Sequence, residues 1–184
     1  MRSFNLRTAF AVTFLLGFGS PSQAQTLLGI GQTPSPEQIA GWNIDINREG
    51  VNLPPGNGSV ASGRDVFEMQ CSACHGDKGQ GGIGDRLVGG KGSLTTSQPI
   101  KTVGSYWPYS ATLFDYIRRS MPLHAPQTLS NDEVYAVTAY ILNLNGIIPD
   151  GTTLDAKSLP AVKMPNRDGF VQDPRPDVFN KLEE

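Results

Sequence analysis

The sequence predicts an all-α protein in which a few short helices are joined by long irregular connections. Helical spacing of apolar residues occurs in the stretch that leads into Cys71 and again in residues 110–145. The 184 residues include 21 glycines and 14 prolines, a high share that favours irregular connections. A chain of this length is typical of one domain with an additional arm or tail.

A short amphipathic helix is predicted in SATLFDYIRRS, residues 110–120. Its apolar positions at helical spacing are Leu113, Phe114, Tyr116 and Ile117. The helix should end at Met121-Pro122, because a proline disfavours helical geometry in the residue before it.

A closing helix is predicted to begin after Ser130. Ser130 followed three residues later by Glu133 is typical of a capping box. Asn145-Gly146 then predicts the end of the helix. The apolar positions at helical spacing are Val134, Val137, Ile141 and Leu142. The Met-Pro loop therefore lies between two predicted helices.

Residues 1–24 are expected to be a secretory signal peptide. Arg2 and Arg7 give a basic start, AFAVTFLLGFG is an apolar run of eleven residues, and Ser22-Gln23-Ala24 fits a cleavage site. The run is shorter than the ~20 residues that span a bilayer, so no stable membrane insertion is expected; an uncleaved anchor is the alternative. The mature chain is then expected in the periplasm, an oxidising compartment.

Charge and motifs exclude several classes of protein. Without Arg2 and Arg7 the chain carries 13 basic and 17 acidic residues, a net charge of −4 that provides no basic surface for nucleic acid. The glycine-rich GDKGQGGIG lacks the preceding strand of a phosphate-binding loop, and no hydrolase motif is present.

The only cysteines, Cys71 and Cys74, stand in the motif CSACH immediately before His75. In an oxidising compartment, a structural disulfide is the simplest interpretation. A thioredoxin-like pair is disfavoured because it needs a helix N-terminus beside a βαβ pattern, whereas this pair follows a helical pattern. Zinc needs about four ligands, and the adjacent Cys74 and His75 would have difficulty reaching one ion together.

Covalent haem c accounts for all three residues of the motif. Cys-x-x-Cys-His is the attachment signature of c-type haem, in which each thiol adds to a vinyl group and the histidine binds the iron. Cys71, Cys74 and His75 are therefore predicted to hold one covalently attached haem c, with His75 as an axial ligand.

The sixth ligand of the iron is predicted to be Met121. The loop between the two helices is where an axial thioether could approach the far side of the ring, 46 residues beyond His75. His124, Met164 and an open site are the alternatives, and methionine ligation would give a higher potential than a second histidine. Met69 is excluded because it shares the helix of the cysteines.

Together these features resemble a class I cytochrome c over residues 58–147. The resemblance rests on Gly63 and Phe67 before CSACH, a glycine-rich loop ending in LVGGKG, the Met-Pro loop, and Tyr140 on the closing helix. It implies a class I cytochrome c fold in which the first and last helices cross, with Gly63 and Phe67 against Tyr140.

A closer resemblance covers about residues 41–171. GWNIDINREGVNLPPGNGSVASG, KTVGSYWPY, the Met-Pro stretch and KMPNRDGF are similar to cytochrome subunits that partner periplasmic molybdenum enzymes of sulfur oxidation. The resemblance implies a single-haem cytochrome, not itself an enzyme. It implies a molybdenum-containing sulfite or sulfane dehydrogenase catalytic subunit as electron donor and a downstream cytochrome or oxidase as acceptor.

The resemblance also implies roles for residues outside the haem motif. Tyr106 and Trp107 are expected to bind the cofactor near its propionates, with core packing as the alternative. Many relatives carry a proline where Asp85 stands here, and a backbone carbonyl of this loop is expected to orient His75. The basic candidates to balance propionate charge are Lys101, Arg118 and Arg119, although a solvated helix face suits at least one arginine.

The remaining segments are expected to be arms around the haem domain. Residues 25–57 form the predicted N-terminal arm and residues 148–184 the predicted C-terminal arm, both with little periodicity. Trp42 suggests an anchor for the first arm, and the final DPRPDVFNKLEE is expected to be mobile.

The sequence therefore predicts a periplasmic carrier of single electrons. The alternative is a haem enzyme or ligand sensor with an open or displaceable sixth site.

Overall fold

The computed structural model describes residues 31–173 and residue 175. The predicted signal peptide and most of the tail DPRPDVFNKLEE lie outside the described residues. The helices of the described part are α1 (Pro36–Trp42), α2 (Val60–Gln70), α3 (Ser72–His75), α4 (Ser110–Ser120) and α5 (Asn131–Leu144). The helical content confirms the prediction of an all-α fold.

Two short strands accompany the helices. Strand β1 (Asn57–Ser59) pairs antiparallel with β2 (Thr153–Asp155), and Gly58 stands opposite Leu154. A Cβ on Gly58 would lie 2.1 Å from the backbone nitrogen of Ala136, so this strand lies directly on α5. Glycine is required at this position because a side chain would have no room.

Helices α2 and α5 cross as the resemblance implies. A Cβ on Gly63 would lie 1.9 Å from the carbonyl oxygen of Ala136 and 2.9 Å from Cβ of Tyr140. The Phe67 and Tyr140 rings meet edge to face with centroids 5.4 Å apart, an arrangement that aromatic pairs favour. The missing side chain at Gly63 allows the two backbones to approach this closely.

The ends of α4 and α5 follow the sequence signals. Ser130 accepts from the backbone N–H of Glu133, and the Glu133 carboxylate accepts from the N–H of Ser130, which confirms the capping box. Helix α5 ends at Leu144, and Gly146 has φ 66°, a conformation that glycine adopts at little cost. Helix α4 ends immediately before Met121, as predicted.

The core includes residues from the predicted C-terminal arm. Four apolar residues of this arm are buried together with the residues of α2, α4 and α5 that form the core: Ile148, Leu154, Leu159 and Met164. A segment without helical or strand periodicity can still bury isolated apolar residues. Periodicity of the sequence therefore does not predict these four buried positions.

Trp42, interpreted as an anchor for the first arm, does not pack on the core. Its side chain is 87% exposed, whereas Ile46 is 6% exposed and belongs to the core. Among the described residues, 31–41 belong to one compact unit and those from Trp42 onward to a second, and the site described below lies within the second. No helix in residues 31–173 is long and apolar enough to cross a membrane.

Candidate haem site

The CSACH motif occupies a helical turn at the end of α2. Cys71 ends this helix, with its N–H donating to the carbonyl of Phe67 at 2.9 Å. The short helix α3 follows, and the N–H of His75 donates to the carbonyl of Cys71 at 3.0 Å. The motif therefore begins where α2 ends, and α2 is the helix that packs against α5 through Gly63 and Phe67.

The ring of His75 is held by a backbone group of the glycine-rich loop. Its Nδ1 lies 2.6 Å from the carbonyl oxygen of Asp85. A proton on Nδ1 donated to this oxygen leaves Nε2 as the free lone pair, which is the arrangement that a metal-binding histidine needs. Asp85 thus supplies its carbonyl from the position where many relatives have proline.

The loop lies so close to the motif that it depends on two glycines. A Cβ on Gly84 would lie 3.0 Å from Cε1 of His75, and one on Gly82 would lie 2.8 Å from the carbonyl oxygen of Cys74. The N–H of Gly84 donates to the same Cys74 carbonyl at 2.9 Å. The loop therefore packs closely against His75 and restricts the position of its ring.

Cys71 and Cys74 are not joined by a disulfide, and their surroundings differ. Cys71 is half-buried and packs on the core, whereas Cys74 is exposed. Burial raises the pKa of the Cys71 thiol to about 11, and the neighbouring Cys74 thiol adds to the effect. In the part of the chain that the structure describes, no group of three or more His, Cys, Asp or Glu side chains is arranged so that it could hold a metal ion.

Met121, the predicted sixth ligand, follows the last residue of α4. Its N–H donates to the carbonyl of Ile117 at 2.9 Å, so its backbone continues the hydrogen bonding of α4. Its side chain is partly buried against the core. Met164 is 1% exposed within the core, where it packs as predicted, and His124 is exposed.

Tyr106 and Trp107 lie at the edge of the core. The Tyr106 ring meets Phe170 edge to face at 5.2 Å, and Nζ of Lys101 lies 5.0 Å from its centroid. The partly buried Trp107 meets Tyr116 edge to face at 5.8 Å. Both rings are fixed by packing, and their role toward a cofactor stays a prediction.

The two arginines of α4 contact the N-terminal arm. Nη1 of Arg118 lies 3.4 Å from the carbonyl oxygen of Ile44, and Nη1 of Arg119 lies 3.1 Å from Oδ1 of Asp45. Arg119 also pairs with Asp115 one turn earlier on the helix. These contacts support the expectation of a surface role for at least one arginine.

The residues present fit a haem. An apolar macrocycle binds to apolar side chains that pack on the protein core and still have part of their surface accessible for contact with the ring. Partly buried residues that pack on the core have this character, and they include four residues of the predicted haem-binding segments: Cys71, Leu87, Trp107 and Met121. Together with Nε2 of His75 and the sulfur atoms of Cys71 and Cys74, they would provide an iron ligand, the attachment points and an apolar surface.

Comparison with known proteins supports this interpretation. The family described as cytochrome c oxidase, cbb3-type, subunit III matches residues 58–141. A chain in the crystal structure of the sulfane dehydrogenase SoxCD from Paracoccus pantotrophus is 43% identical, with a TM-score of 0.76, and the match covers 84% of this chain and 77% of that one. The chain is a class I c-type cytochrome. Within that class, the cytochrome resembles the cytochrome subunits of sulfur-compound dehydrogenases.

A second similarity covers less of the relative. The cytochrome is 30% identical over 96 residues to the thiosulfate dehydrogenase of Stutzerimonas stutzeri (strain A1501). The match covers 50% of the cytochrome and 29% of the relative's length. The cytochrome thus matches less than a third of that protein.

Sequence reasoning missed the side chain that holds the glycine-rich loop to α5. Asn145 accepts from the N–H of Gly89 at 3.1 Å and donates to the carbonyl of Leu87 at 3.2 Å. A Cβ on Gly104 would lie 2.0 Å from its Oδ1. The sequence predicts Asn145 only as a helix terminator, because asparagine is common at the C-terminal ends of helices. Its contacts with Leu87 and Gly89 are distant in sequence, so no local pattern predicts them.

Proposed function

We propose that this cytochrome is a periplasmic single-haem electron carrier. It accepts single electrons from the catalytic subunit of a molybdenum-containing sulfite or sulfane dehydrogenase. It passes them to a downstream cytochrome or oxidase of the respiratory chain. The match to a chain of the SoxCD structure carries this proposal, because the match extends well beyond the haem motif into both arms.

The side chains of the site have separate tasks in this proposal. Cys71 and Cys74 tether one haem c, and His75 and Met121 bind its iron, while Tyr106 and Trp107 contact the cofactor. Bound haem c supplies a one-electron Fe(III)/Fe(II) couple. His75 is held in one tautomer by the Asp85 carbonyl, so its orientation need not change between the two oxidation states.

If His75 and Met121 both held the iron, no coordination position would remain for a substrate, and electron transfer would be favoured. Met121 continues the hydrogen bonding of α4 and packs on the core, so a thioether from this position is poorly displaced by small molecules. Redox partners dock through a modest and transient interface in this proposal.

Reduction by a physiological donor tests the proposal. The cytochrome is purified from the native periplasm together with any bound partner, and its absorbance is followed after addition of sulfite or thiosulfate. The expected result is reduction that requires a molybdenum-containing partner and follows its substrate. Failure of every periplasmic sulfur dehydrogenase fraction to reduce the cytochrome would contradict the proposed donor.

The similarity to a thiosulfate dehydrogenase favours a second candidate, a haem enzyme with an open or displaceable sixth site. This candidate requires that the purified cytochrome alone be reduced by thiosulfate, with no other protein present. It also requires that carbon monoxide bind rapidly to the ferrous form. The electron-carrier proposal predicts neither result.

A further inference from the structure

Residues 44–57 of the N-terminal arm, here called the strap, are bonded to the C-terminal half of α4. The N–H of Ile46 donates to Oδ1 of Asp115 at 3.3 Å, and this carboxylate is 9% exposed. Asp115 also pairs with Arg119, which reaches Asp45 of the strap. The strap therefore meets a nearly buried charge on α4.

The other end of the strap is bonded to the beginning of α5. The N–H of Asn57 donates to Oδ1 of Asp132 at 2.8 Å. The hydroxyl of Tyr135 donates to the carbonyl of Pro54 at 2.9 Å, and Asn131 Nδ2 donates to the carbonyl of Pro55 at 3.3 Å. Three contacts, from Pro54, Pro55 and Asn57, thus fix this end to the first turns of α5.

The two attachment regions flank the loop that carries Met121. Helix α4 ends at Ser120 and α5 begins at Asn131, so residues 121–130 join the two places where the strap is bonded. The Met121 N–H still belongs to the hydrogen bonding of α4. A cavity of about 440 Å³ lies between strap and loop, bounded by Ile44, Arg118, Gln127 and Leu129 among others.

We propose that the strap positions Met121 by fixing the distance between the two ends of its loop, with Asp115 and Asp132 as the positioning residues. A loop whose ends are held apart at a set distance has fewer conformations in which its thioether can leave the iron. The cavity behind the loop is space into which a released loop can move. Because the inference requires Met121 as a ligand, it rests on the proposed function.

The rate of imidazole binding to the ferric, haem-loaded full chain tests the proposal, since imidazole binds only after Met121 has left. Asp115→Ala removes a hydrogen-bonded charge, and the expected increase is about tenfold. Asp132→Ala removes a more exposed contact, and about threefold is expected. Asp115→Asn keeps an oxygen for the Ile46 N–H and loses the ion pair with Arg119, so a smaller increase in rate than in Asp115→Ala is expected.

Val66→Ala is the matched control, because Val66 is buried on α2 and its side chain takes part in none of the hydrogen bonds that hold the strap. It lowers the free energy of unfolding without raising the imidazole rate. The proposal is overturned if the strap variants bind imidazole no faster than Val66→Ala at equal stability. Met121→Ala distinguishes failure of the ligand assignment from failure of the strap proposal. If this variant binds imidazole at the wild-type rate, Met121 is not the ligand, and the proposed function fails at this point independently of the strap variants.

Discussion

The carbonyl oxygen of Asp85 lies 2.6 Å from Nδ1 of His75. The contact uses the backbone of Asp85, so the residue type is free to differ from the proline of many relatives. What the geometry requires is the position of this carbonyl, which depends on the glycines beside it. Support of a metal-binding histidine by a carbonyl raises its basicity and fixes its ring.

Gly84→Ala should raise the reduction potential. Its Cβ would lie 3.0 Å from Cε1 of His75, so the ring must shift and the bond to the Asp85 carbonyl weakens. Loss of about 1 kcal/mol of support for the ferric state corresponds to about 40 mV for one electron. Redox titration measures the change. Asp85→Ala keeps the carbonyl and is the control; a larger effect from Asp85→Ala than from Gly84→Ala would contradict the backbone role.

Gly63→Ala should destabilise the fold at the crossing of α2 and α5. A methyl group would lie 1.9 Å from the carbonyl oxygen of Ala136, and forced separation of packed elements costs about 1–3 kcal/mol. Denaturant unfolding followed by circular dichroism measures the loss. Gly41→Ala is the control, because a Cβ there meets nothing within 4 Å. Equal stability of the two variants would show that the helices do not need this close approach.

Met121→Ala should open the sixth position of the iron. The expected results are loss of the sulfur-to-iron charge-transfer absorbance in the red, a lower potential, and binding of carbon monoxide by the ferrous protein. His124→Ala changes an exposed side chain and should leave all three properties as they are. An unchanged spectrum in Met121→Ala would assign the ligand to another residue.

Tyr135→Phe should cost about 1 kcal/mol at neutral pH, because the carbonyl of Pro54 loses its hydrogen bond. Burial raises the pKa of Tyr135 to about 12, with the nearby Asp155 adding to the shift. The folded protein therefore holds this proton more tightly than the unfolded chain. The resulting stability is present below pH 10 and is lost as the pH rises toward 12.

Unfolding measured from pH 8 to pH 12 checks this prediction. Above pH 10 the free energy of unfolding should fall more for the wild-type protein than for Tyr135→Phe. The difference in the free energy of unfolding between the two proteins should therefore become smaller. A difference that stays constant over this range would show that the Tyr135 proton is not linked to folding.

The sequence predicts the parts of the fold that depend on local signals. The start and end of α5 follow from Ser130, Glu133 and Gly146, because capping chemistry involves residues three to four positions apart. The crossing at Gly63 was available only through resemblance. Helix α1 was missed, although Ser35 and Gln38 bond each other's backbone N–H at its start.

The contacts that hold the site together are mostly distant in sequence. Ile46 and Asp115 are 69 residues apart, and Gly89 and Asn145 are 56 residues apart. A single aspartate or asparagine in a sequence does not indicate which distant residue it contacts. The motif predicts which residues hold the cofactor, whereas the residues that position them could be identified only from the fold.

The account depends on covalent haem at CSACH, and the mass of the exported protein tests this most directly. Intact-mass measurement and visible absorbance are applied to protein purified from the periplasm. The account predicts a mature chain from about residue 25 that is heavier by one haem, with no free thiol at Cys71 or Cys74. A colourless chain of unmodified mass with two free or oxidised cysteines would contradict it.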